Sequence, residues 1–551
     1  MKNVSCKCES TGKSLLLLAG VVLLAGCGPK SYKRDADEQV YKFVDKHWEP
    51  EFGPQANYRI HGAPAGPDDI GVEQVARVEK VVADTGILTV PQAAMIALAC
   101  NRDYQLAKEL LYTTTLDMRL IRHAYEMQFF GGGTALYSND GLNERVVVEP
   151  NLGFNRLLAT GAAVGTTIGA RWADIMIGSG RHGWSGVLGA SVVQPLLRGS
   201  NPRVVREPLT QAERNALYQI RTVCRSRKLW VVAALTQYYE TLELLDVAKT
   251  EEARIAYLVT LEGRVGKMVE GGRLPQEELD QVRQETLRAR DSHILAAKEY
   301  DRFLDFLKIT LGVSPALEFD LDYEVFESLK ANGIPYPDFS LDEAIEAALI
   351  RRLDLTNNAD MVIDAQRAVY VAADGLRTAV NVFANTNLRT DGDKSTTAGV
   401  TVDLPLDRVA EQNVYAKALV MLNQREREYG LTADTVRHEV RDAHRKLLES
   451  AERYRVLSEG VRLAQDRVDN TFELLRYGRV SSRRVLTALE HWRDARNDMA
   501  DALTDYAIAT LNFYRDTEVL QVRPDGMWEV GPGAMPVART GVSGEKAASV
   551  R

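Results

Sequence analysis

The distribution of proline limits the fold of this chain more than any other feature of its sequence. The 551 residues include 18 prolines, but none lies between Pro405 and Pro524, and only Pro275 lies between Pro208 and Pro315. Proline lacks a backbone N–H and its ring clashes with the preceding helical turn, so helix interiors exclude it. Two segments of roughly 100 residues or more are therefore free to be almost wholly helical.

The composition excludes several classes of protein. Hydrophobic residues make up 45% of the chain, charged residues make up 26%, and the mean hydropathy is -0.22. A polytopic helical membrane protein would need repeated apolar spans of about 20 residues, and a disordered chain would have less apolar surface to bury. The net charge of -8 argues against a nucleic-acid-binding protein, which would carry a basic surface.

The N-terminus has the pattern of a bacterial lipoprotein signal. Three lysines precede an apolar run at 14–26, which is too short for a stable transmembrane helix but typical of a signal-peptide core. The run ends in LAGC at 24–27, which resembles a lipobox and predicts that Cys27 carries lipid as the first mature residue. Gly28 at the next position, rather than Asp, implies delivery to the outer membrane. The alternative is an ordinary signal peptide followed by a chance cysteine.

A second pattern occurs twice in the same order, which predicts an internal duplication. The matching landmarks are TV at 89–90 with SL at 340–341, QPL at 194–196 with LPL at 404–406, EGGR at 270–273 with RYGR at 476–479, and TL at 310–311 with TL at 510–511. The resulting division is a signal peptide (1–26), a lipid-anchored, polar and extended N-terminal segment (27–87), a first repeat (88–330), a second repeat (331–522) and a flexible C-terminal tail (523–551).

Each repeat is predicted to open with a capped helix and to continue into strands. Thr89 and Ser340 are N-cap residues, and Gln92 and Glu343 follow three positions later as capping-box partners. Alternating apolar residues predict strands at 163–172 and 186–193 in the first repeat, and at about 380–389 and 398–406 in the second. This makes two strands per repeat and four in all. Four strands cannot close a membrane-spanning barrel, so several subunits would have to share one.

Long antiparallel helical hairpins are predicted to complete each repeat. In the second repeat, apolar residues at alternating steps of three and four run from Val436 to Leu475 and again from Val485 to Phe513, which is the coiled-coil pattern. The first repeat has corresponding segments at about 203–270 and 277–311. The nearly equal outgoing arms predict that both hairpin tips end at the same level.

Taken together, these features resemble the TolC family of outer-membrane efflux proteins over about residues 88–520. The motifs that carry the resemblance are QPLLRG at 194–199 and LRYGRVSSRRVLTALEHWRDAR at 475–496, with the lipobox and the doubled helix–strand–strand–helix plan. The resemblance implies a mainly α fold with a β part and a homotrimer. Its three subunits would share a twelve-stranded barrel, with the hairpins forming an α-barrel tunnel. It also implies that the protein is the outer-membrane duct of a tripartite system with a periplasmic adaptor and an inner-membrane transporter.

In that family the hairpin reversals dock the adaptor. The corresponding tip residues here are Gly272, Arg273 and Leu274 in the first hairpin, and Gly478, Arg479, Val480 and Ser481 in the second. Turns without any binding partner are the alternative. The family places acidic residues near the tip, where they narrow the tunnel mouth. Here Glu278 fits that position, but Arg484 replaces the second acidic residue. One hypothesis is a mixed gate that closes by salt bridges between subunits. The alternative is that Arg484 is a solvated charge on a helix face.

No pattern for catalysis or cofactor binding occurs in the sequence. The eight histidines lack metal-ligand spacing, the glycine triplet at 131–133 is not followed by the Lys-Ser/Thr of a phosphate loop, and no GxSxG motif is present. We therefore expect no enzyme activity, no metal site and no cofactor other than the lipid on Cys27. The remaining alternative function is a lipid-anchored periplasmic coiled-coil scaffold that conducts nothing; an envelope enzyme would need a constellation that the sequence lacks.

Overall fold

The structure is a computed structural model that describes residues 28–55, 57–60, 80, 82, 84–139, 144–175, 182–332, 340–390, 392–404, 406–524 and 527–530. Cys27, the predicted lipidation site, lies outside these residues. The helices are α1 (Pro29–His47), α2 (Val90–Cys100), α3 (Arg102–His123), α4 (Pro202–Val205), α5 (Glu207–Glu270), α6 (Gln276–Leu311), α7 (Tyr323–Asn332), α8 (Leu341–Arg351), α9 (Leu353–Gly375), α10 (Val409–Arg476) and α11 (Ser482–Asp516).

The two long hairpins predicted from the proline gaps are present. Helix α5 has 64 residues and returns through α6, and α10 has 68 residues and returns through α11. At 1.5 Å per residue, each outgoing helix is about 100 Å long. Predicted heptad residues of α10, such as Val436 and Val440, are fully buried against α8 and α11. Within the described residues, no helix is both long and apolar enough to cross a membrane.

Two buried clusters hold the hairpins together along their length. The larger cluster surrounds the fully buried Leu235 and Tyr238 in the middle of α5 and includes residues of α2, α3, α6 and α11. The second cluster lies close to the tips, where Leu261 and Val282 of the first hairpin pack with Val485 and Trp492 of the second. Because this second cluster draws on all four long helices, the two tips are fixed side by side.

The capping boxes at the starts of the repeats form as predicted. Gln92 accepts a hydrogen bond from the backbone N–H of Thr89 at 2.9 Å, and Ser340 and Glu343 cap α8 reciprocally. Side-chain acceptors at these positions satisfy backbone donors that the first helical turn leaves unpaired. The two repeats also share one order of elements: two helices, then strands, then a long helix and a shorter helix. This order occurs once from α2 to α6 and once from α8 to α11.

The strands form one large antiparallel sheet and two small pairs. Their bounds are β1 (Ile87–Leu88), β2 (Gln128–Asn139), β3 (Glu144–Leu157), β4 (Ala163–Ile175), β5 (His182–Pro195), β6 (Asp320–Leu321), β7 (Ala379–Arg389), β8 (Lys394–Asp403), β9 (Leu520–Val522) and β10 (Trp528–Val530). The large sheet has six strands in the order β2-β3-β4-β5-β7-β8, and every neighbouring pair in it is antiparallel.

The predicted number of strands is wrong for the first repeat. That repeat supplies four strands, not two, whereas the second supplies two as predicted, so one chain contributes six strands to the sheet instead of the predicted four. The hairpin of β2 and β3 escaped prediction because a glycine triplet and Pro150 interrupt its alternation. The sheet accommodates both features: the glycine triplet pairs with β3 without a break, and the β3–β4 register is interrupted at Pro150, as expected of a residue without an N–H.

The predicted extended N-terminal segment is wrong over residues 29–47, which form α1. Val40, Tyr41, Phe43 and Val44 are spaced so that they share one helix face, and all four are buried. Tyr112 of α3 donates a hydrogen bond to Asp37 at 2.7 Å. The composition of this segment is polar on average, and the average hides the apolar stripe that docks the helix.

The predicted flexible tail is likewise wrong at its beginning. Trp528–Val530 forms β10, which pairs antiparallel with β9 in the register Trp528 to Val522. Leu520 and Val522 of β9 are buried in the main core, so the chain stays attached to the body after α11 ends.

The junction between α2 and α3 docks on the end of α6. Asn101 accepts a hydrogen bond from the backbone N–H of Tyr104 at 2.9 Å and donates one to the carbonyl of Thr310 at 2.8 Å. Gly312 ends α6 in the left-handed region at φ +78°, and a Cβ atom there would lie 2.2 Å from the carbonyl oxygen of Cys100. Glycine is required here for both its conformation and its size.

We expect Gly312→Ala to destabilise the protein strongly. The left-handed backbone costs about 1–2 kcal/mol for a residue with a Cβ atom, and the clash with Cys100 adds to it. Gly430→Ala is the matched control, because Gly430 lies exposed in α10 with nothing near its Cβ position, and we expect a gain of about 0.5–1 kcal/mol. Thermal unfolding of the two purified variants checks this. Equal midpoints for both would contradict the close approach.

Candidate functional site

The six-stranded sheet has two chemically different faces, and it is the first candidate functional surface. One row of register partners on one face is Leu152, Ile168, Leu188 and Leu388, from β3, β4, β5 and β7. All four side chains are exposed, with Leu152 at 65% and Ile168 at 61%. Exposed apolar patches of this extent mark surfaces that contact something other than water.

The opposite face is more polar, although Phe130, Leu136 and Phe383 also lie on it. The row of register partners that shows this most clearly is Gln128, Asn155, Gly165, Ser191, Asn385 and Thr397. Every residue of this row carries a polar side chain or none. Strands that are apolar on one face and polar on the other are typical of transmembrane barrels, whose lumen is wet and whose outer surface contacts lipid.

The two edges of the sheet are the second notable feature. Strand β2 pairs only with β3, and β8 pairs only with β7, among the described residues. The outer edge of each strand therefore has no strand partner within the described part of the chain. An open edge of this kind is unstable in a membrane, where no water is available to satisfy it.

The predicted tip residues lie at the two hairpin reversals and share one backbone geometry. Gly272 and Gly478 have φ values of +68° and +66°. The N–H of Arg273 donates to the carbonyl of Met268 at 2.8 Å, and the N–H of Arg479 donates to that of Leu474 at 2.9 Å. These are Schellman motifs, in which a left-handed glycine ends the helix.

Side chains at the tips divide into inward and outward groups. Leu274 and Val480 are half-buried against the tip cluster. Arg273, Arg479 and Ser481 are exposed. Each tip therefore presents one exposed arginine next to a fixed turn, and the tip cluster holds the two turns together.

The two predicted gate residues are not paired within the chain. Glu278 of α6 accepts two hydrogen bonds from Ser482, one from its backbone N–H at 3.1 Å and one from its hydroxyl at 2.7 Å. Its carboxylate therefore caps the N-terminus of α11, where the helix dipole favours negative charge. Arg484 is exposed and forms no ion pair within the described part of the chain. A Glu278–Arg484 salt bridge between subunits remains a hypothesis.

A cluster of acidic residues at the middle of the hairpins was not predicted. Burial, followed by the nearby charges of Asp501 and Asp505, raises the pKa of Glu243 to about 7. Arg453 of α10 bridges the two aspartates at 3.1 Å and 2.8 Å. The sequence signal is weak, because Glu243 lies on α5 and the aspartates lie on α11, far apart along the chain. Their spacing of four residues shows only that they share a helix face.

No metal site is found in the described residues, where no group of three or more His, Cys, Asp or Glu side chains is arranged to hold an ion. Cys100 and Cys224 are not joined by a disulfide, and burial raises the pKa of Cys224 to about 12.

The fold is similar to that of solved outer-membrane channels, so the resemblance noted in the sequence is confirmed at the level of the fold. The solved CusC structure, described as a transmembrane channel, is 14% identical, with a TM-score of 0.59 over 78% of this chain and 91% of that chain. The outer-membrane protein VceC of Vibrio cholerae is 13% identical, with a TM-score of 0.58 over 78% and 95%.

A third similar structure is the open state of the MtrE outer-membrane channel of Neisseria gonorrhoeae. It is 12% identical to this chain, with a TM-score of 0.56 over 78% of this chain and 88% of that one. No protein-family model matches the sequence, and no curated protein matches it. The similarity is therefore one of structure, retained at low sequence identity.

We expect Glu243→Gln to stabilise the protein at neutral and alkaline pH but not in acid. The folded pKa of Glu243 lies above its ordinary value of 4.5, so its unfavourable ionisation lowers stability as the pH rises towards and through 7. Removing the charge should recover about 2 kcal/mol at pH 8 and nothing at pH 4. Melting curves at the two pH values, with the exposed Glu452→Gln as control, measure this. The same shift at both pH values would contradict it.

Proposed function

We propose that this protein is a trimeric outer-membrane exit duct. It would passively conduct solutes that a periplasmic adaptor and an inner-membrane transporter deliver, and it would carry out no catalysis itself. The observation that carries the proposal is the two-faced sheet with two open edges, joined directly to helical hairpins about 100 Å long. The sheet would cross the outer membrane, and the hairpins would line a tunnel through the periplasm.

The dimensions of the sheet support this arrangement. Its strands are 10–14 residues long, and a tilted strand needs about 9–11 residues to cross the hydrocarbon layer. The apolar row through Leu152 and Ile168 would face lipid, and the polar row through Asn155 and Asn385 would face the lumen. Because the edges must be closed, more than one copy is required.

Exposed apolar side chains on the helices support packing between copies. On α6, Leu287 and Ile294 are seven residues apart and are 64% and 65% exposed. On α10, Val414 and Leu431 are also exposed, at 56% and 68%. Surfaces of this kind would be covered if neighbouring hairpins alternate around a tunnel wall.

The lipid anchor is the part of the proposal that concerns Cys27. Helix α1 begins at Pro29 and is held against α3 by the ion pair of Arg119 with Asp35 at 2.8 Å. A lipid on Cys27 would therefore tether the body at this helix. Loss of palmitate labelling in Cys27→Ser supports the anchor, and unchanged labelling would contradict it.

Bilayer recordings test the channel itself. We expect the purified protein to have the mass of three chains and to produce discrete conductance steps in planar bilayers. A conductance signal from trimers supports the duct. A protein of one chain without conductance would overturn it and favour the lipid-anchored coiled-coil scaffold.

The same recordings test the tip as a gate. We propose that the Glu278–Ser482 contact holds the mouth closed, because it joins the start of α11 to the neighbouring hairpin. Glu278→Lys places a positive charge at a helix N-terminus and should raise the open fraction at least several-fold. Glu277→Lys, at an exposed neighbouring position, is the control. Identical conductance for both variants would remove Glu278 and its contact from the gate.

The exposed tip arginines are proposed as the adaptor-docking surface. A photo-reactive amino acid at Arg479 should form an adduct with a periplasmic adaptor, identified by mass spectrometry, in cells that contain the whole system. The matched control is the same amino acid at Arg445, which is exposed on α10 away from the tip. Adducts from Arg445 but not from Arg479 would contradict docking at the tip.

A further inference from the structure

We propose that the outer-membrane barrel of this protein has eighteen strands, six from each of three subunits, and that it closes through pairing of β8 in one subunit with β2 in the next. The proposal rests on the trimer proposed above. It differs from the twelve-stranded barrel that the family resemblance implies, and it assigns a specific partner, a second copy of this chain, to each open edge of the sheet.

The β2–β3 hairpin belongs to the sheet and does not lie across it. Strands β2 and β3 pair continuously through twelve residues, from Gln128 opposite Asn155 to Asn139 opposite Glu144. Strand β3 then pairs with β4 on its other side, from Arg145 opposite Ile175 to Leu157 opposite Ala163. The extra hairpin thus extends the same wall sideways.

Both faces of the wall continue onto the extra hairpin. On the apolar face, Phe129, Tyr137 and Leu152 are 77%, 62% and 65% exposed. On the more polar face, Gln128 and Asn155 begin the row that runs to β8, and Phe130 and Leu136 of β2 also lie on this face. A plug folded into the lumen would have no need for an apolar face directed to lipid, whereas a barrel strand does.

A twelve-stranded barrel would require different pairing from that observed. It would join β8 of one subunit to β4 of the next, but β4 already bonds β3 on one side and β5 on the other. The free edges are those of β2 and β8. Strand β2 leaves the helical body and β8 returns to it, so these two edges meet antiparallel, like every other pair in the sheet.

The width of the helical tunnel also agrees with eighteen strands. Strands about 4.8 Å apart and tilted about 40° measure about 75 Å around a barrel of twelve and about 110 Å around a barrel of eighteen. Twelve long helices, four from each subunit at a spacing of about 9 Å, also measure about 110 Å around. The barrel would then continue the tunnel without narrowing, with a diameter about 1.5 times that of a twelve-stranded barrel. The limit on cargo size would therefore lie at the tips.

Disulfide trapping across the subunit junction tests the strand count. Thr397→Cys in β8 is combined in turn with Thr134→Cys, Leu136→Cys or Ser138→Cys in β2. These β2 positions cover the possible registers at about the same distance as Thr397 from the helical end of the sheet. Cys100 and Cys224 are replaced by alanine in every variant. Antiparallel neighbours have Cα atoms about 4.5–5.5 Å apart, within disulfide range. Oxidation of the intact trimer should join all three chains covalently for at least one pair, in most of the sample.

The control pair is Thr397→Cys with Thr167→Cys in β4. Covalent trimers from this pair, and none from the β2 pairs, would overturn the eighteen-stranded barrel while leaving the proposed duct intact. A disulfide within a single chain would also overturn it. If the single-cysteine parents purify as monomers, the trimer itself is wrong, and the proposed function fails together with this inference. The mass of those parents therefore separates the two failures.

Discussion

In the proposed duct, the requirement that every backbone hydrogen bond be satisfied in lipid would determine how the sheet is arranged. Its six-stranded sheet carries an apolar face and a polar face, but it ends in two open edges. A single chain cannot satisfy those edges, and a hydrocarbon layer offers no water to do so. In the proposed duct, the assembly of several copies would follow from the need to bring two such edges together.

The long helices all extend from one side of the sheet. Because the strands alternate in direction, each repeat enters and leaves the sheet at the same side, and the long helices extend away from it together. The buried tip cluster and the Glu278–Ser482 contact join the two hairpins at their far ends. The chain is thus rigidly connected at the sheet, along the core and at the tips, which is the arrangement a tunnel wall requires.

The sequence was sufficient to predict the long helices and insufficient to predict two of the six strands of the sheet. Long gaps without proline and the heptad from Val436 to Leu447 predict the hairpins, because a helix repeats its signal over many turns. The β2–β3 hairpin gives a much shorter signal, and three glycines and Pro150 interrupt it. Its stability comes from neighbouring strands and from Phe130 covering Gly153, which no local pattern contains.

The functional-site residues were likewise only partly predictable from the sequence. Gly272 and Gly478 were predictable because a left-handed turn favours glycine. The role of Glu278 as a cap for α11 was not, since its partner Ser482 lies 204 positions away in sequence. Glu243 and its aspartates escaped prediction for the same reason: burial raises the pKa of Glu243, and burial exists only once α5, α10 and α11 have packed.

The most direct measurement is an electron cryo-microscopy reconstruction of the full-length protein in a lipid nanodisc, at a resolution that separates strands. We expect three copies around one closed barrel, with six strands from each copy and with β8 of each copy next to β2 of its neighbour. A closed barrel with four strands per copy would contradict the eighteen-stranded wall. A helical assembly whose sheet stays outside the lipid would contradict our proposal that the two open edges are closed within a membrane.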